Sequence, residues 1–317
     1  MYDLAYRIGH SRSKPILYAD NVPELPEVET IARGLERRVA GDTIESVWIG
    51  SRKQPLKLSA DAIVATLEGK RIVRVHRAGK HIVFDLEGDA HGSRSGTKSY
   101  KPSVGGGTRQ TTPLDSAQWI VHLGMTGRMV VSEDSAEIAK HTHLIATLAS
   151  GRELRFIDPR MFGRLSVHEG GSGYPFDPGG VEPLEASEEQ FVRLFRGRKT
   201  PIKSALLNQK LLRGVGNIYA DESLFRAGIR PRRRAATITR QRLGKLHRAV
   251  QEVLREAIVL GGSSISNYVD ADGEEGFFQL QHRVYGREGE PCLVCGSAIR
   301  RVVLAGRSSH YCAKCQS

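Results

Sequence analysis

All four cysteines of the chain lie in its last 26 residues, as Cys292-Leu-Val-Cys295 and Cys312-Ala-Lys-Cys315, a C-x2-C-x16-C-x2-C pattern. Each pair has the spacing of a metal-binding knuckle, and two knuckles joined by a hairpin bring four thiolates to one tetrahedral zinc ion. Two disulfides would need an oxidising compartment, for which the chain offers no other sign. Four cysteines leave no coordination position open to water, so one structural zinc, not a catalytic one, is expected. The intervening GSAIRRVVLAGRSSHY carries Arg300, Arg301 and Arg307 on the hairpin, where guanidinium groups suit phosphate or base contacts.

A zinc module is a small part of 317 residues, and the remainder is long enough for two further domains with their own cores. Lys and Arg total 47 against 35 Asp and Glu, a net charge of +12, which favours a polyanionic partner such as nucleic acid. No stretch approaches the roughly 18 apolar residues of a membrane span, and a cytoplasmic protein is expected.

From Pro23, PELPEVETIARGLERRVAG reads as a helix: prolines and carboxylates open it, Val28, Ile31, Leu35 and Val39 form a stripe, and Arg37 and Arg38 close it. The β-branched, partly alternating runs at 43–50, 71–78, 81–88, 119–124, 143–149 and 153–158 predict a β-sandwich. The Gly, Ser and Thr-rich residues 88–117 read as a flexible insertion between two strands, and 171–185 as a linker. Helical patterns follow: SEEQFVRLFRG with its cap-like Ser187, PIKSALLNQKLL, ADESLFRAG, and a long amphipathic stretch at 238–262. In LRGVGNIYADESLF, Gly214 and Gly216 precede a helix start at Asn217, an arrangement that lets backbone approach a phosphate or simply turns one helix into the next. Glu24 and Glu27, taken alone, offset a helix dipole.

The segments VPELPEVET, HLGMTGRM, KHTHL, DPRMFG, PIKSALLNQ, GVGNIYADESLFRAGI and VYGREGEPCLVCG, with the final knuckle, occur in one order over residues 22–317, interrupted only by the insertion. In this the chain resembles bacterial formamidopyrimidine-DNA glycosylases, bifunctional enzymes that excise oxidised purines. Leu25 fits that branch better than the endonuclease-eight-like branch, which typically has Gly there. The resemblance implies an α+β fold: an N-terminal β-sandwich flanked by helices (residues 23–170), a helical helix-two-turn-helix domain (186–282) and a C-terminal zinc-finger β-hairpin (283–317). It implies a monomer acting on damaged double-stranded DNA at the nucleoid.

Residue by residue, the resemblance makes Pro23 the amine nucleophile, Glu24 the general acid and Glu27 a further active-site carboxylate. Lys80 and Arg307 match groups that contact the substrate beside the lesion and assist excision and elimination. Met125, Arg160 and Phe162 match a wedge that fills the stack after the damaged base is flipped out. His141, Arg198, Lys203 and Asn217, with Arg160, are matched DNA contacts, and 267–281 matches a lid over the extruded base. A terminal amine on Pro23 requires that residues 1–22 be absent from the mature protein, and initiation at a GTG codon for position 22 followed by Met removal is the expected route. An oxidised-pyrimidine glycosylase, or a non-catalytic binder of damaged DNA if Pro23 stays acylated, are the competing readings.

Overall fold

A computed structural model describes residues 22–50, 55–88, 97–99, 111–113, 116–170, 174–264 and 276–317. The N-terminal extension ahead of residue 22, and most of the expected lid, lie outside the described residues.

Helix α1 (Leu25–Val39) begins where the prolines and carboxylates predict: Pro26 sits in its first turn, and Glu24 and Glu27 form a reciprocal capping box. Its stripe of Val28, Ile31, Leu35 and Val39 is buried in one core with two four-stranded antiparallel sheets. One sheet orders its strands β1 (Ile44–Ile49), β8 (Thr142–Leu148), β9 (Arg152–Ile157) and β7 (Arg128–Glu133). The other runs β10 (Arg164–Glu169), β6 (Ser116–His122), β3 (His81–Gly88) and β2 (Lys70–Ala78). Phe84 stacks on Trp119 at 4.8 Å in the shared core, with Phe156 fully buried from the opposing sheet. β7, β10 and the Ser59-capped helix α2 (Ala60–Leu67) escaped the sequence reading. β10 shows why, since only Leu165 and Val167 alternate among polar neighbours.

β2 and β3 are joined by a two-residue turn between the paired Ala78 and His81, with Gly79 at φ 60, so Lys80 stands at the end of the sheet. Within the insertion, β4 (Thr97–Ser99) pairs with β5 (Thr111–Pro113).

The second core gathers α3 (Glu188–Phe195), α4 (Ile202–Leu206), α5 (Asn217–Arg226) and α6 (Arg240–Val259) around Phe191, Phe195, Tyr219 and Leu246, and it includes Leu25 from the first turn of α1. The start of α1 is therefore fixed at the junction of the two domains. Helix α4 is shorter than the pattern over 201–212 suggested. The chain leaves it through a turn held by the Gln209 amide, which donates to the Val215 carbonyl and accepts from the Gly214 N–H, each at 2.8 Å. The C-terminal hairpin pairs β11 (Ile299–Leu304) with β12 (Arg307–Cys312).

Candidate active site

A cleft of about 370 Å³ opens where the three parts meet, and its lining includes Val22, Glu24, Lys80, His122, Asn217 and Arg307. Glu24 comes from the start of α1, Lys80 from the β2–β3 turn, Asn217 from the first residue of α5 and Arg307 from the start of β12. Pro23 is half-buried and stands between two residues of the cleft wall.

Glu24 is 4 % exposed. Its Oε1 accepts the Ile218 N–H at 3.2 Å, while its Oε2 has no hydrogen-bond partner among the described residues. Burial raises its pKa from 4.5 to about 7; the Lys80 ammonium opposes the rise and Glu27 reinforces it. A buried carboxyl with one free oxygen, titrating near neutrality in a cleft, has the properties of a general acid or base. Lys80 feels the same environment with the opposite sign: burial and the Arg307 charge lower its pKa, and the two carboxylates partly restore it.

The Cα faces of Gly214 and Gly216 are occupied by the start of α1. A Cβ on Gly216 would lie 2.1 Å from the Glu24 carboxyl carbon, and one on Gly214, at φ 85, would lie 2.9 Å from the Leu25 side chain. Both glycines make room for the start of α1, and the Leu25 N–H donates to the Gly214 carbonyl at 3.0 Å. Glu27, expected in the site, is buried behind it. It accepts the Glu24 N–H at 2.9 Å and the Ser263 N–H at 2.8 Å, and also the Tyr219 hydroxyl. It locks the backbone that carries Glu24 to α5 and to the end of α6.

The expected wedge residues cluster as a group. Arg160 lies over the Phe162 ring at 4.9 Å, and both are exposed. Gly124, beside Met125, packs so closely on this loop that a Cβ would stand 2.5 Å from the Phe162 carbonyl carbon. Asp158, which the sequence reading did not single out, joins the two loops. Its carboxylate accepts the Thr126 hydroxyl at 2.5 Å, the Gly163 N–H at 2.7 Å and the Arg160 N–H at 3.3 Å. His141 is exposed at φ 68 ahead of β8, and its carbonyl accepts the Asp158 N–H at 3.0 Å. Arg198 is exposed beyond α3, with its Nε donating to the Leu194 carbonyl at 2.5 Å.

Lys203 requires a correction. An expected DNA contact, it is fully buried, paired with Asp221 at 2.7 Å, and donates to the Ser308 carbonyl at 2.6 Å. An ammonium withdrawn from water needs such partners, and with both in place it does not reach the surface. Asn217 keeps its place in the cleft, where its amide donates to the Ser308 hydroxyl at 3.3 Å.

The ligand atoms of Cys292, Cys295, Cys312 and Cys315 all lie within 4.8 Å of one another, with Sγ–Sγ distances of 3.9 Å for Cys292–Cys315 and 3.5 Å for Cys295–Cys312. A tetrahedron with Zn–S bonds of about 2.3 Å has edges of about 3.8 Å, so the four sulfurs fit one zinc ion. The local core of Phe225, Val284 and Ile299 is too small to hold the hairpin without it. Metal analysis is expected to give one zinc per chain, and Cys312→Ser to lower that value and weaken duplex DNA binding by about tenfold or more. Full zinc content or unchanged binding in the variant would refute a zinc-held hairpin.

Three family models cover most of the chain: the formamidopyrimidine-DNA glycosylase N-terminal domain over 22–165, its H2TH domain over 180–269, and a zinc finger found in FPG and IleRS over 289–317. The formamidopyrimidine-DNA glycosylase of Solibacter usitatus is 44 % identical over 301 residues, spanning 93 % of this chain and 99 % of the relative. That of Desulfitobacterium hafniense is 40 % identical over 304 residues, spanning 93 % and 100 %. Among solved structures, the MutM (Fpg) protein of Thermus thermophilus superposes with a TM-score of 0.75 at 39 % identity, covering 93 % of this chain and 98 % of that one. Lactococcus lactis Fpg in complex with DNA containing an abasic site gives 0.77 at 32 % identity, covering 92 % and 99 %. With all three domains matched in order at such coverage, the chain belongs to the formamidopyrimidine-DNA glycosylase family.

Proposed function

We propose that the protein is a base-excision-repair DNA glycosylase and abasic-site lyase that removes 8-oxoguanine and formamidopyrimidines from duplex DNA. The observation that carries this reading is the meeting of Glu24, Lys80, Asn217 and Arg307, from three domains, in one cleft beside Pro23. In the proposed reaction the free amine of Pro23 attacks the anomeric carbon of the damaged nucleotide. The base leaves, and a protein–sugar iminium remains, whose positive nitrogen withdraws electrons for β- and then δ-elimination. Glu24 protonates the ring oxygen as the sugar opens, and the carboxylate left behind takes up a proton released in the elimination, which restores the acid. Lys80 and Arg307 hold the phosphates beside the lesion, and Asn217, His141 and Arg198 contact the backbone further along. Met125, Arg160 and Phe162 enter the stack that the flipped base vacates.

In this reading residues 23–170 are the catalytic domain, 186–282 grip DNA and 283–317 present Arg307. The enzyme acts as a monomer at the cytoplasmic nucleoid, to which its +12 charge would draw it. The test is strand cleavage on matched duplexes carrying 8-oxoguanine, formamidopyrimidine or thymine glycol. Preference for the two purines by about tenfold or more in kcat/KM is expected. Preference for thymine glycol would select the oxidised-pyrimidine reading.

A further inference from the structure

Residue Arg307 is the first residue of β12, directly after a tight turn in which Ala305 and Gly306 have φ of 47 and 75. Its neighbours are tied to α5 by buried groups that the proposed reaction does not use. Asp221 is fully buried and accepts the His310 N–H at 2.8 Å through Oδ2. The same oxygen lies 3.3 Å from His310 Nδ1, and Asp221 Oδ1 pairs with Lys203 Nζ at 2.7 Å. Lys203 completes the circuit at the Ser308 carbonyl, 2.6 Å away. One carboxylate and one ammonium therefore hold β12 at Ser308 and at His310, immediately beyond Arg307.

We propose that the Asp221–Lys203 pair is a positioning device that fixes the zinc hairpin against α5 so that the Arg307 guanidinium faces the cleft. Burying two charges is expensive, and apolar residues of similar size often stabilise a fold equally well, so stability alone is a weak reason for the pair. What apolar side chains could not do is grip backbone groups at two points of a strand. The guanidinium of Arg307 is exposed and held by no hydrogen bond among the described residues, so its direction depends on the strand beneath it. Displacement of a group by about 1 Å costs up to about a hundredfold in a precisely aligned site.

This inference rests on the proposed role of Arg307, and the test separates the two. The probe is a duplex with a tetrahydrofuran abasic-site analogue, bound by the full zinc-loaded chain, so the state of Pro23 does not enter. Four proteins are compared: the parent, Asp221→Leu with Lys203→Met, Arg307→Ala, and all three substitutions together. The paired substitution leaves no uncompensated buried charge and removes the grip. It is expected to weaken binding by about tenfold in the parent and by less than about twofold in the Arg307→Ala background, the non-additivity of groups acting as one unit. Hydrogen exchange of the Ser308–His310 segment should rise in the paired variant while zinc remains at one per chain. Equal losses in both backgrounds, unchanged exchange, or loss of zinc would make the pair an ordinary element of the fold and overturn the proposal. An Arg307→Ala protein that binds as tightly as the parent would instead overturn the role given to Arg307, and the positioning role with it.

Discussion

Protein trimmed to begin at Pro23 is expected to be trapped by borohydride as a covalent adduct with 8-oxoguanine duplex, and the chain in which Val22 precedes Pro23 is expected to give none. The difference is one of bonding. With Val22 attached, the Pro23 nitrogen is a tertiary amide whose lone pair is delocalised into the carbonyl, and it cannot form an iminium. As a terminal amine it titrates near pH 8, so about a tenth is free base at pH 7. Trimming should leave this corner in place, because contacts made after Pro23 hold it. The Glu24 N–H is held by Glu27, and the Leu25 N–H by the Gly214 carbonyl. An adduct of equal yield from the untrimmed chain would overturn the proline mechanism. Lys80 would then be the amine to examine, since burial lowers its pKa and it lines the same cleft. Loss of that adduct in Lys80→Met would identify it.

Features with a local signature were legible in the sequence. The knuckles announce themselves by spacing, and the four sulfurs converge. The start of α1 is written in Pro26, Glu24 and Glu27, whose capping box follows the expected residues. What depends on approach between distant segments was not legible. The close approach of Gly214 and Gly216 to Leu25 and Glu24 joins segments almost two hundred positions apart, and no local signature marks it. Lys203 was expected as a DNA contact through the family resemblance alone. Its burial is decided by Asp221 and Ser308 across the fold. Asp158 has one signal that could have found it, its place before Pro159-Arg160 in a loop with two expected wedge residues, where an Asx side chain commonly caps following backbone N–H groups.

Replacing Glu24 with Gln is expected to lower excision by about a hundredfold to ten-thousandfold, the range for loss of a general acid or base, and to change the shape of the pH profile. With Glu24 titrating at about 7 and required protonated, and the Pro23 amine titrating at about 8 and required neutral, the active form is the minority arrangement of the two protons. Its population rises with pH up to about 7, stays near a twentieth between the two values, and falls above about 8. The residual activity of Glu24→Gln should depend on the amine alone, rising to a plateau above about 8 with no alkaline decline. Stability gives an independent reading with a defined sign. Glu24 titrates at 4.5 when unfolded and about 7 when folded, so between these values the folded chain holds the extra proton. This contribution to stability is fully present at acid pH and is lost as pH rises towards about 7, by about 3 kcal/mol in all. Glu24→Gln should flatten that part of the stability curve. An alkaline limb that survives in the variant would remove Glu24 from the role of acid, whatever its effect on rate.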